Sequence, residues 1–251
     1  MLFLGKKPAR PDAVKLKFGA FFDAAQLPVP PKMFGHVRGG TDWGMLANDS
    51  CSDCVFAGAA HETMVWVSEG GQASVSFTDA DVVDDYSAVT GYKPSDPLTD
   101  TGTDMQQAAE YRRKTGVVDS AGKRHTIDAY VALSAGKADD LALATYLSGA
   151  SGVGLVLPDS ALDQFDAQKP WTVVPGAKRV GGHYCPCVGR NSVGNFLVVT
   201  WGRLHAMTPA FYSTYCDEAM AYISLEAMTN KTTPEGFDAP MLARSLARLS
   251  T

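Results

Sequence analysis

No apolar run in this chain approaches the roughly 20 residues needed to cross a bilayer as a helix. Its start, "MLFLGKKPARPDAVKLK", puts a four-residue apolar patch ahead of its first Lys and Arg, the reverse of a secretory signal, so synthesis in the cytoplasm is expected. Basic excess is missing too. The net charge is −5 with a pI near 5.5, which excludes nucleic acid as the main partner and gives no reason to expect a membrane surface. The acidic run "DADVVDDY" lacks the Gly turn and closing Glu of a calcium loop and reads as a solvated helix face. No internal repeat, low-complexity segment or cofactor motif stands out, and no cofactor is expected. Five cysteines is an odd number, so at least one has no internal disulfide partner, and without an export signal reduced thiols are the expectation.

The 251 residues, 45 % hydrophobic, suffice for one large domain or two small ones. Residues 1–40, with "LPVPPKMFGHVRGG", read as an extended Pro-rich arm lying on a body or reaching to a partner. Residues 41–228 carry the regular patterns, and 229–251 form a polar tail with a small helical end. From Asp53 to about Glu69 there is no Pro, and Gly58 is the only Gly. Apolar or small residues cover nearly the whole circumference, which predicts a buried central helix, with the small residues at 57–60 letting a strand come close. A second helix follows Thr78 or Asp79 as N-cap, and a third runs from Thr103 as N-cap to a stop at Gly116. "KADDLALATYLSG" predicts a helix ended by Gly149. "TIDAYVAL", "GVGLVLP", "GHYCPCVGR" and "NFLVVTWG" predict strands, and "TPAFYSTYCDEAMAYISL" a short helix and then a strand. Helices dominate the first half and strands the second, an α+β pattern with one lobe from each.

Cys54 falls in the first turn of the buried helix, where unpaired N–H groups and the helix dipole favour a thiolate. A nucleophilic Cys needs an imidazole partner. His183, 129 residues downstream in "VGGHYCPCVG", is the best placed, because Gly181 and Gly182 leave room for a substrate backbone. His61 lies two turns along the same helix, roughly 10 Å away and too far to pair; His36, His125 and His205 have poorer settings.

The order of these motifs resembles the papain-like cysteine peptidases, and more closely papain-like proteins encoded by bacteriophages and prophages. "DWGMLANDSCSDCVFAGAAH", "GLVLP", "GGH" and "VVTWG…MTPAFYSTYCDEAMAYIS" carry the resemblance over about residues 42–224. It implies a papain-like α+β fold, with a helical lobe centred on the Cys helix and an antiparallel sheet lobe. It also implies Cys54 as nucleophile and His183 as general base. Asn48 would stand where the family places a Gln whose amide helps form the oxyanion hole, and the Cys54 N–H would be the second donor. Trp201 and Gly202 match the Trp-Gly after the family's orienting Asn, and Trp201 would shield the His. Val199 occupies the place of that Asn, strand alternation turns Thr200 to the other face, and Asn191 or Asn195 substitutes only if its loop folds back. Asp53 would cap the helix while its charge opposes a thiolate.

Two function classes follow. One is a cysteine peptidase or amidase acting on a peptide or amide through Cys54, His183 and Asn48, with Gly182 and Trp201 lining the site. The other is a catalytically inactive papain-fold protein of a phage virion, docking other virion proteins through the arm. Val199 favours the second and the intact Cys54, His183 and Asn48 the first. The cysteines admit two further readings: a four-thiolate zinc site from Cys51, Cys54, Cys185 and Cys187, and a thioredoxin-type pair at Cys51 and Cys54. Cys216 is expected as a buried small hydrophobe, and the four tryptophans as packing groups.

Overall fold

The structure, a computed structural model, describes residues 2–10, 12–21, 28–37 and 41–228. In chain order α1 (Phe18–Phe21) and β1 (Phe34–Gly35) come first. They are followed by the helices α2 (Cys54–Glu69), α3 (Asp79–Thr90) and α4 (Met105–Lys114). Then come β2 (Val117–Val118), β3 (Arg124–His125), β4 (Ala129–Ala132), α5 (Ala138–Ser148), β5 (Ser151–Pro158) and α6 (Asp159–Asp166). The last are β6 (Arg179–Arg190), β7 (Phe196–Thr200), β8 (Arg203–Met207), α7 (Pro209–Tyr215) and β9 (Cys216–Ile223). The expected tail lies outside the described residues.

The helix boundaries follow from local chemistry. Thr78 caps α3 through a capping box with Asp81, and Gly91 closes it at φ 77°. Gly149 closes α5 at φ 80°. The cap of α4 is Asp104, whose carboxylate accepts from Gln107 N–H, and not Thr103. Thr103 keeps its backbone groups for another task, described below. Asp53 occupies the N-cap of α2 but makes no capping hydrogen bond with its side chain. The acidic run of α3 is not wholly solvated either. Asp85 is buried, where it accepts from Tyr111 Oη and Val118 N–H and pairs with Arg124 at 2.6 Å.

The strands assemble antiparallel in the order β4-β9-β5-β6-β7-β8, with β1 added alongside β6. Alternation along β6 gives the sheet two faces. Tyr184 and Val188 belong to the same core as α2, whereas Cys185 and Cys187 join the core built with α5 and α7. Helix α2 lies directly on β6. A Cβ on Gly58 would stand 2.4 Å from the Tyr184 ring, so the strand approaches where the small residues predicted it. Tyr184 Oη then donates to Glu62 at 2.5 Å, and Glu62 pairs with Arg112 of α4 at 2.6 Å. The Arg112 guanidinium sits 4.3 Å from the Tyr222 ring centroid. This buried ion pair fixes the middle of α2 between α4 and the sheet.

Candidate active site

Cys54 opens α2 and is fully buried. Burial pushes its thiol up to about 12; the neighbouring Asp53 adds to this, while backbone N–H groups of Tyr184 and Gly5 act in the opposite direction. The thiol therefore meets the backbone of the residue that follows His183, on the facing wall. His183 is likewise buried and is pushed down to about 3 by desolvation. Both groups are neutral in this state. Asp53 is 0 % exposed, and burial holds its carboxyl well above the usual range.

Two features fix the imidazole. Its ring stacks on Trp201 with centroids 4.3 Å apart and planes 19° from parallel. Its Nε2 lies 2.7 Å from Thr200 Oγ1, and its Nδ1 is buried without a hydrogen-bond partner. The expectation that Thr200 faces away from His183 is thus corrected. A bulge between Cys187 and Gly189 shifts the β6–β7 register by one residue, so Cys187 pairs with Val198. That slip turns Val198 and Thr200 to the face that carries His183, Cys185 and Cys187, and turns Val199 to the α2 side. Asn191 instead closes its own loop, accepting from Val193 and Asn195 N–H.

Asn48 is buried beside the helix start. Its Nδ2 donates to Cys51 carbonyl at a long 3.4 Å, and its own carbonyl accepts from Phe3 N–H at 3.2 Å. Cys51 packs as a buried neighbour whose thiol faces the Ala47 carbonyl. All five cysteines are free, and no group of three or more His, Cys, Asp or Glu among the described residues is arranged to hold a metal. The four-thiolate site is not assembled: Cys185 and Cys187 sit in the α5/α7 core and Cys51 and Cys54 in the α2 core. His61 is a core histidine hydrogen-bonded to the Trp43 carbonyl at 2.9 Å.

The cleft over Cys54 is filled by the chain's own residues 3–7. On the sheet wall, Lys6 N–H donates to Gly182 carbonyl at 3.0 Å, and Trp201 Nε1 donates to Phe3 carbonyl at 3.3 Å. On the helical wall, Thr103 N–H donates to Gly5 carbonyl at 2.7 Å and Lys7 N–H to Thr103 carbonyl at 2.9 Å. The passage is tight on both sides. A Cβ on Gly182 would stand 2.0 Å from the Lys6 carbonyl oxygen, and one on Gly5 would stand 1.9 Å from that of Ser52. The backbone for which the two glycines leave room is thus the arm itself, bound within the molecule. Sequence reasoning missed Thr200, Thr103, Gly5 and Lys6. The one available signal was the pair Asp217-Glu218 interrupting an otherwise apolar strand, since both receive the Lys6 ammonium.

No protein-family model and no curated protein matches the chain. Among solved structures it is similar to xylellain, a cysteine protease from Xylella fastidiosa, at 13 % identity and a TM-score of 0.63, over 88 % of this chain and 96 % of that one. It is also similar to proCathepsin B S9 from Trypanosoma congolense, at 12 % identity and 0.60, over 88 % and 86 %. The proform of the ragweed pollen cysteine protease Amb a 11 matches at 17 % identity and 0.57, over 86 % and 72 %. These are papain-like cysteine proteases, and the chain has their fold.

Proposed function

We propose that the protein is a cysteine hydrolase acting on peptide bonds, seen here in a self-covered state. The observation that carries this reading is the cleft itself. It holds an extended peptide backbone by hydrogen bonds on both walls, directly over a buried Cys at a helix start and beside an imidazole fixed on its far side. Once the arm leaves, water reaches the pair and the burial that keeps both groups neutral is relieved. With its proton on Nε2 facing Thr200, His183 has Nδ1 free to take the Cys54 proton. The sulfur then adds to the substrate carbonyl, and Asn48 Nδ2, exchanging its weak bond to Cys51, joins the Cys54 N–H on the oxyanion. Collapse forms a thioester, breaks the C–N bond and passes the His183 proton to the leaving amine; water then cleaves the thioester and restores the thiol.

The arm is not itself cut in this register. It offers Cys54 the Gly5 N–H, while the Gly5 carbonyl is turned to Thr103. That covered cleft also favours the second reading, a catalytically silent papain-fold component. The phage or prophage association, with a virion partner, rests on the sequence motifs alone. One experiment separates the two readings: iodoacetamide labelling at neutral pH, followed residue by residue by mass spectrometry. It is run on the intact chain and on Lys6→Glu, which sets a third carboxylate against Asp217 and Glu218 and so expels the arm. Rapid labelling of Cys54 in Lys6→Glu that disappears when His183→Ala is added supports the hydrolase. Labelling of Cys54 no faster than that of the other four thiols means the pair is inert.

A further inference from the structure

We infer that the pocket now holding Lys6 is a side-chain pocket of the cleft that selects a lysine or arginine in the substrate, one residue away from the residue over Cys54. This rests on the hydrolase reading and adds to it the class of peptide recognised. The Lys6 side chain is wholly buried, although a lone buried ammonium is costly unless paired. Its Nζ is held at 2.9 Å by Asp217 Oδ2, at 2.9 Å by Glu218 Oε1 and at 2.8 Å by the Lys7 carbonyl. Asp217 Oδ1 is buried with no partner, so the site keeps an unused acceptor beside the bound cation.

The shape suits a long unbranched stem. A Cβ on Gly154 would stand 2.6 Å from Lys6 Cε and 2.8 Å from Met105 Sδ, so Gly154 opens the floor and Met105 lines it. Asp217 and Glu218 also line an adjoining cavity of about 560 Å³, closed on its other side by arm residues between Ala9 and Gly19, so the carboxylates face open space there once the arm departs. Lys6 and Gly5 are consecutive, so the pocket lies next to the position at which Gly5 N–H meets the Cys54 thiol. Both carboxylates belong to β9, a strand of the sheet, and stay in place when the arm departs. An acidic, stem-shaped pocket remains beside the nucleophile, and the arm occupies it with the side chain that it fits.

The test compares two affinity labels on the full-length Lys6→Glu chain: chloroacetyl-Lys amide and chloroacetyl-norleucine amide, whose reactive carbon takes the place of Gly5 and which differ only in the ammonium. Cys54 modification by the lysyl label is expected to be faster by about tenfold or more. Adding Asp217→Asn and Glu218→Gln should bring the ratio close to one while iodoacetamide labelling of Cys54 stays unchanged. Equal rates with the carboxylates intact, in a chain whose Cys54 still reacts with iodoacetamide, overturn the pocket assignment and leave the nucleophile standing. If Cys54 is inert to every reagent, the hydrolase reading fails and equilibrium binding decides the pocket. Tighter binding of acetyl-Gly-Lys amide to Lys6→Glu than to its Asp217→Asn/Glu218→Gln form supports it, and equal binding or none removes it.

Discussion

Replacing Thr200 by Val tests the least expected element of the site. The two side chains have nearly the same shape, so the change removes the hydroxyl 2.7 Å from His183 Nε2 and little else. Thr200 and His183 are both buried, so water does not replace the lost partner. A buried imidazole N–H left alone costs about 1–3 kcal/mol. If that cost falls on the protonated His183 formed during attack, it slows Cys54 by about fivefold to a hundredfold. The assay is the rate of Cys54 alkylation as a function of pH in the Lys6→Glu background, with unfolding by urea measured alongside. Thr200→Ser, which keeps the hydroxyl, should recover most of the rate. Thr200→Val should flatten the part of the pH profile due to the imidazole, which a purely structural defect leaves in place. Thr200→Val alkylated as fast as its parent would refute the assignment, and so would Thr200→Ser as slow as Thr200→Val.

Gly182→Ala puts a Cβ 2.0 Å from the Lys6 carbonyl oxygen, so residues 3–7 should leave the cleft and become cleavable in limited proteolysis while the body resists; an arm as protected as before contradicts the seating. Arg112→Met should cost about 3–5 kcal/mol in urea unfolding by leaving Glu62 buried without its cation, and adding Glu62→Gln should restore most of the loss, whereas additive losses would mean that the pair is not coupled. His125 joins Glu226 at 2.8 Å and Asp119 at 3.0 Å; burial opposes its charge, but these hydrogen bonds prevail and raise its pKa above 6.5. Its contribution to stability is therefore complete below pH 6.5 and disappears as pH rises through the folded value, a loss that His125→Gln should remove from the pH dependence of the urea midpoint. At the acid end the same cluster acts through Asp119 and Glu226, whose depressed values make their share vanish as pH falls below the ordinary carboxylate range.

What the sequence disclosed and what it hid divide along the range of the interactions. Helix α2 was legible because a proline-free stretch apolar on all sides has few other places to go, and the caps at Thr78 and Gly149 act within four residues. The need for space at Gly182 was legible because two consecutive glycines ahead of a histidine are unusual in themselves. Thr200 was hidden by one residue of slip. Alternation assigns faces correctly only along an unbroken register, and the bulge at Cys187/Gly189 breaks it between the two residues being compared. The acidic run of α3 misled in a similar way, since burial of Asp85 depends on Tyr111 and Arg124 from elements that local patterning does not bring near.

The occupant of the cleft lay furthest from reach, because its partners are up to 212 positions away along the chain. Its effect is electrostatic as much as steric. Burial raises the Cys54 thiol to about 12 and lowers the His183 imidazole to about 3, so transfer of a proton from one to the other is strongly uphill in the covered state. A thiolate–imidazolium pair needs the opposite ordering or near equality, which solvation of the two charges supplies. In the proposed hydrolase, the contacts that seat Lys6 between two carboxylates would thereby keep Cys54 protonated. Opening the cleft and charging the pair are one event: in Lys6→Glu the pH at which Cys54 becomes reactive should fall well below that of the intact chain, measured by alkylation of each from pH 5 to 10. Identical profiles for the two chains would separate the arm from the chemistry.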